Sequence, residues 1–150
     1  MAISLKGDQE ISSVPTTKNK ALRINLNTDI YGTFAEIGAG QETARNFFRS
    51  GAASGTIAKA MSAYDKDFSD AIYGLEEDKR YVTQPRLQRM LGHEISLMED
   101  RLSRQKHPDK LFFSYANTVT TIDFAKQFKG HGWVGIRFQL EPLEENNEIV

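Results

Sequence analysis

At 150 residues, with 39% hydrophobic and 26% charged side chains, the chain has the size and composition of one soluble globular domain that can bury a real core. A formal net charge of −1 supplies no global field toward nucleic acid or an anionic membrane, so neither is an expected partner. The absence of cysteine removes disulfides, thiol nucleophiles and cysteine metal sites, and it fits a cytoplasmic location with no bound metal.

In chain order, residues 1–20 are rich in Ser, Thr, Lys and Asn and include Pro15. They read as a flexible tail ahead of a single globular domain at 21–150. The start lacks the apolar core of a secretory signal, and no apolar run approaches a membrane span.

Residues 21–49 organise the rest. Leu22, Ile24 and Leu26 alternate with Arg23, Asn25 and Asn27, which predicts a half-buried strand. Gly32, Gly38 and Gly40 then punctuate the chain, and Ala44, Phe47 and Phe48 follow at helical spacing. A strand, a glycine turn and a helix start place free N–H groups together, where a phosphate binds readily. The same residues also make an ordinary strand-to-helix connection. Thr43 stands where G-x-G-x-x-G needs its third glycine, and no Walker pattern follows.

Residues 32–41, from Gly32-Thr33-Phe34 to Gly40-Gln41, resemble the G-T-F-D-P-x-H-x-G-H signature of nucleotidyltransferases such as nicotinate-nucleotide adenylyltransferase. Gly38 and Gln41 occupy the two histidine positions, and Ala35 the aspartate position. The resemblance implies a nucleotide phosphate near the helix start, without the histidines that would polarise it. From Leu26 onward, residues 31–42, 55–74 and 131–139 resemble the amino-terminal part of a longer bacterial family. Its members are called either nicotinate-nucleotide adenylyltransferases or TonB-dependent receptors. Neither label brings a catalytic residue or a defined cofactor to this chain.

Ile57, Met61, Tyr64, Phe68 and Ile72 recur at three- and four-residue steps and predict a second helix, ended by Gly74. Asp65, Asp67 and Asp70 lie within it and offer a break near Tyr64; Asp65 and Asp70 are readable as paired carboxylates or as charges on a solvated face. Thr83 or Gln84 begins a third helix, with Pro85 in its first turn and an apolar stripe from Leu87 to Leu102. His93-Glu94 within it lacks the later histidine of H-E-x-x-H, since Leu97 stands there.

Residues 111–124 are rich in aromatic and β-branched side chains and predict a strand bent near Asn117. Val134, Ile136, Phe138 and Leu140 then face one way along a further strand, with Trp133, Gly135, Arg137 and Gln139 on the other side. His131, between two glycines, forms a second candidate anion site with Arg137. Residues 148–150 predict a short edge strand, or the start of one in a chain cut from a longer protein.

The expected fold is α/β or α+β: a mixed sheet, about three helices and late antiparallel strands. Two functions follow. One is a domain that binds a nucleotide or other phosphorylated small molecule through Gly32, Thr33, Gly38, Gly40, Gln41, Arg45, His131 and Arg137. The other is a non-catalytic domain that forms a homo-oligomer or binds a protein partner.

Overall fold

The computed structural model describes residues 14–102, 104–127 and 129–150. The expected tail therefore falls mostly on residues outside this description. The alternation at 22–27 does not produce a strand. Thr16 instead caps a helix, α1 (Thr17–Asn25), by accepting a hydrogen bond from Asn19 N at 3.1 Å. Its buried residues, Ala21 and Asn25, are four apart, one helical turn.

The first strand is β1 (Ile30–Gly38), buried from Gly32 onward. It is followed by α2 (Thr43–Ser50), a 3-10 turn (Ala53–Gly55), β2 (Ile57–Ala63), α3 (Lys66–Tyr73), α4 (Gln84–Arg101), β3 (Leu111–Val119), β4 (Gly132–Phe138) and β5 (Asn147–Ile149). The predicted second helix is thus divided: β2 takes its first half and α3 its second. Asp65 marks the division, accepting from Phe68 N at 2.7 Å as the cap of α3. Asn117 lies inside β3 and makes no bend.

The strand order is β2-β1-β3-β4-β5. Central β1 runs parallel to β2 and β3, while β4 and β5 are antiparallel to their neighbours. This is the expected mixed α/β sheet with late antiparallel strands, and four helices stand among the described residues. The buried run of β1 suits a parallel strand covered on both faces.

One face packs against α4 through Ala35, Ile37, Leu87, Met90, Leu91 and Ala116. Burial of each large side chain along α4 stabilises by about 1.5–3 kcal/mol. The other face meets α1 and α2. Phe34, Ala44 and Phe113 form its core, and Asn25 Nδ2 fastens α1 to α2 by donating to Phe47 O (2.9 Å) and Gly51 O (2.8 Å).

Arg86, fully buried, joins α3 to α4. It donates to Asp70 Oδ1 (2.5 Å), Ser69 Oγ (3.1 Å) and Gly74 O (2.7 Å). Truncation would leave those acceptors without their buried cation. Arg86→Ala is expected to cost about 3 kcal/mol in urea unfolding; a loss within experimental error would show that this hub carries no stability.

Candidate functional site

The carboxyl end of β1 is built by close approach. Gly38 has φ of 83°, and a Cβ there would lie 2.0 Å from the carbonyl oxygen of Val119. A Cβ on Gly40 would lie 2.7 Å from Val119 Cγ2. These glycines let the turn press against the end of β3. Ala39 N donates to Val119 O at 3.1 Å. Gln41 Nε2 closes the turn on Gly38 O at 2.9 Å.

The start of α2 already holds a negative group of the chain itself. Glu36, buried in β1, accepts from Thr43 N at 2.8 Å and from Asn117 Nδ2 at 3.2 Å. Asn117 Nδ2 also reaches Gly40 O at 2.8 Å, and Thr43 Oγ1 meets Tyr115 Oη at 2.9 Å. Carboxylates are favoured at helix N-termini for the reason phosphates are. An incoming phosphate would meet Glu36 there.

Of the residues singled out in the sequence, Gln41 and Arg45 come together. With Glu36, Ala44, Ala60 and Ser62 they line a polar hollow of about 170 Å³. Arg45 is exposed and lies 4.0 Å from Glu42. His131 stands at the same end of the sheet, because Gly132 packs on Val119 as Gly40 does. Its backbone N donates to Thr120 Oγ1 at 3.1 Å.

The others lie elsewhere. Gly32 is inside β1, where a Cβ would meet the Phe113 ring at 2.2 Å. Thr33 is buried on the α4 face of the same strand. Arg137 is six residues beyond His131, about 20 Å along an extended strand. Its Nε donates to Glu148 at 2.6 Å. Arg137 and His131 therefore form no common site.

The sequence reading missed a larger feature. Between α1, α2 and strands β3 and β4 runs an apolar groove of about 440 Å³. Phe34, Phe47, Phe113, Tyr115, Ile136 and Phe138 line it. Phe34 holds the floor, with ring centroids 5.0 Å from Phe47, 5.3 Å from Tyr115 and 5.6 Å from Phe113. Leu140 stands at its edge, 68% exposed. The aromatic content of residues 111–115 was visible in the sequence; that no helix would cover their β4 side was not.

An open mixed sheet between helices, with a polar turn at one end and an aromatic groove on one face, defines a class: a two-faced α/β domain. Among solved structures, this chain is similar to the competence/damage-inducible protein CihA of Agrobacterium tumefaciens, with a TM-score of 0.58 and 15% identity over 90% of this chain and 79% of that one. It is also similar to a competence-damaged protein (CinA) superfamily member from Escherichia coli, with a TM-score of 0.56 and 12% identity over 99% and 80%. A competence or damage-inducible protein from Enterobacter asburiae gives 0.54 and 14% over 91% and 84%. No protein-family model and no curated protein matches the chain. These likenesses show the fold. They overturn the resemblance to nucleotidyltransferases and to TonB-dependent receptors: the solved structures that share this fold are described as CinA-superfamily or competence/damage-inducible proteins, and the G-T-F fragment runs through the interior of β1. Among the described residues, no helix is long and apolar enough to cross a membrane.

Two carboxyls carry a pH dependence. Burial acts to raise Glu148, but hydrogen bonds from Arg137 and Gln88 and the Arg137 charge outweigh it and hold the group below its usual range. Burial likewise acts to raise Asp70, but hydrogen bonds from Lys66 and Arg86 and their charges outweigh it and hold that carboxyl below its usual range. A carboxyl depressed in the fold contributes stability that is complete above its unfolded pKa and is lost as pH falls through the lower folded value. The melting temperature is therefore expected to decline as pH drops below about 4. Thermal melts of wild type and Glu148→Gln test this, with a shallower acid decline in the variant; parallel curves would remove Glu148 from the account.

Proposed function

We propose that this domain is an assembly module that pairs with a second copy of itself through the groove between α1, α2 and β4. One observation carries the reading: an apolar hollow of about 440 Å³ is open, floored by aromatic rings and continued by exposed Leu140 and Val134. Contiguous apolar surface of this kind marks interaction sites. A second copy suits it because two such faces bury each other in an isologous pair. A net charge of −1 offers little repulsion between copies. Tyr115 and Thr43 at one wall supply polar groups of the kind that fix register at an apolar interface.

Sedimentation equilibrium is expected to give a dimer at high micromolar concentration. Leu140→Asp, at a site already exposed, should yield a folded monomer with a dissociation constant raised at least about tenfold. A wild-type monomer across that range would discard the reading.

The second reading keeps a phosphate-bearing small molecule at the carboxyl end of β1. Its support is that Gln41 and Arg45 share a hollow, and that the order 2-1-3-4-5 has its switch point at the β1 and β3 ends, beside Gly38, Gly40 and His131. Glu36 at the start of α2 opposes it. Thermal shift with ATP, nicotinamide mononucleotide and dinucleotides separates the two. Stabilisation lost in Arg45→Gln supports the ligand, and no stabilisation at millimolar concentration discards it.

A further inference from the structure

The geometry points to a separate ligand site on the opposite face, between the β1–β2 edge and the carboxyl-terminal half of α4, shaped for a small monoanionic hydroxy- or oxo-carboxylic acid. A cavity of about 340 Å³ lies there, lined by Tyr31, Thr33, Lys59, Glu94, Met98 and Arg101. That volume falls in the lower range of small-molecule sites.

A bulge in β2 creates the polar floor. Gly32 pairs with Ile57, but the next residue, Thr33, pairs with Lys59, so Ala58 is an extra residue. Strand alternation alone would send Lys59 to the same face as Ile57, toward α1 and α2. The bulge turns it beneath α4, beside Thr33. Bulges re-aim side chains in this way next to working sites.

Four polar side chains then converge. Thr33 is 1% exposed, and its Oγ1 has no hydrogen-bond partner among the described residues. Glu94 has a side chain only 1% exposed and is satisfied at both oxygens: Lys59 Nζ binds Oε2, and Tyr73 Oη donates to Oε1 at 2.7 Å. Burial first, and then the Glu94 charge, push the Tyr73 hydroxyl far above its ordinary pKa, so it remains a donor. Lys59 is 38% exposed and has donors left for a ligand. Arg101, exposed in the last turn of α4, adds a second cation at the wall.

Counting Lys59 and Arg101 against Glu94 leaves one positive charge. A single carboxylate matches it, whereas a phosphate dianion exceeds it. Met98, Leu97 and Leu102 exclude a highly charged body and favour a short aliphatic one. The ligand's hydroxyl or carbonyl oxygen would satisfy the otherwise solitary Thr33 hydroxyl.

The test is titration of the full chain with 3-hydroxybutyrate, acetate and inorganic phosphate, followed by amide chemical shifts in NMR. The expected result is saturable binding of 3-hydroxybutyrate, with shifts confined to Thr33, Lys59 and the end of α4, tighter than acetate and much tighter than phosphate. Thr33→Val keeps the β-branched shape. It should raise the melting temperature of the free protein by removing a lone buried hydroxyl, and weaken 3-hydroxybutyrate about tenfold. Arg101→Gln, on the exposed wall, should weaken both carboxylates about equally. Absence of saturable carboxylate binding, equal or tighter phosphate binding, or unchanged affinity in both variants would overturn the proposal.

Discussion

A mixed sheet must be covered on both faces, and this chain covers them unequally. The eighteen-residue α4 lies across β1, β3 and β4 and covers that part of its face. The opposite face receives two short helices, α1 of nine residues and α2 of eight. They roof Phe34 and the β1 side, while Ile136 and Phe138 on β4 look out into a groove. Apolar area left in water is unfavourable at roughly 25 cal/mol per Å². The proposed pairing of two copies would remove that cost without changing the monomer.

The glycine turn after β1 has a mechanical explanation that precedes any ligand. Parallel β1 and β3 end level with one another, Gly38 opposite Val119. The chain must then leave the sheet for α2 while Gly132 brings β4 in against the same valine. Only residues without Cβ fit around the backbone and side chain of Val119. Glu36 and Asn117, facing each other in the register, fill the space beneath with hydrogen bonds. The helix start that attracts anions is thus occupied from inside the fold.

Much of the architecture could be read from residues. The stripe on α4, its Pro85 and the Thr83 cap are local signals, and they held. So did the alternation of β4, the short last strand and the first part of the strand expected at 111–124, which ends at Val119. The failures have physical causes. Leu22, Ile24 and Leu26 alternate, yet Asn25 is buried by tertiary hydrogen bonds that a polar residue's letter does not announce. Ile57 and Met61 are four apart, a step shared by strand and helix, so period could not separate β2 from α3. The candidate sites fared likewise. Gln41 and Arg45 could be grouped because they are four residues apart across the start of α2. Thr33 and Lys59 could not, since their pairing depends on a one-residue bulge between distant segments. Arg137 was grouped with His131 by sequence nearness, although an extended strand separates them.

The central claim is that the uneven face is a contact between copies. Hydrogen exchange at β4 and α2 amides, measured over a wide range of protein concentration, tests it most directly. Protection there should rise with concentration while that of β1 and α4 stays fixed. Exchange at β4 and α2 independent of concentration, in protein that remains folded, would contradict the account.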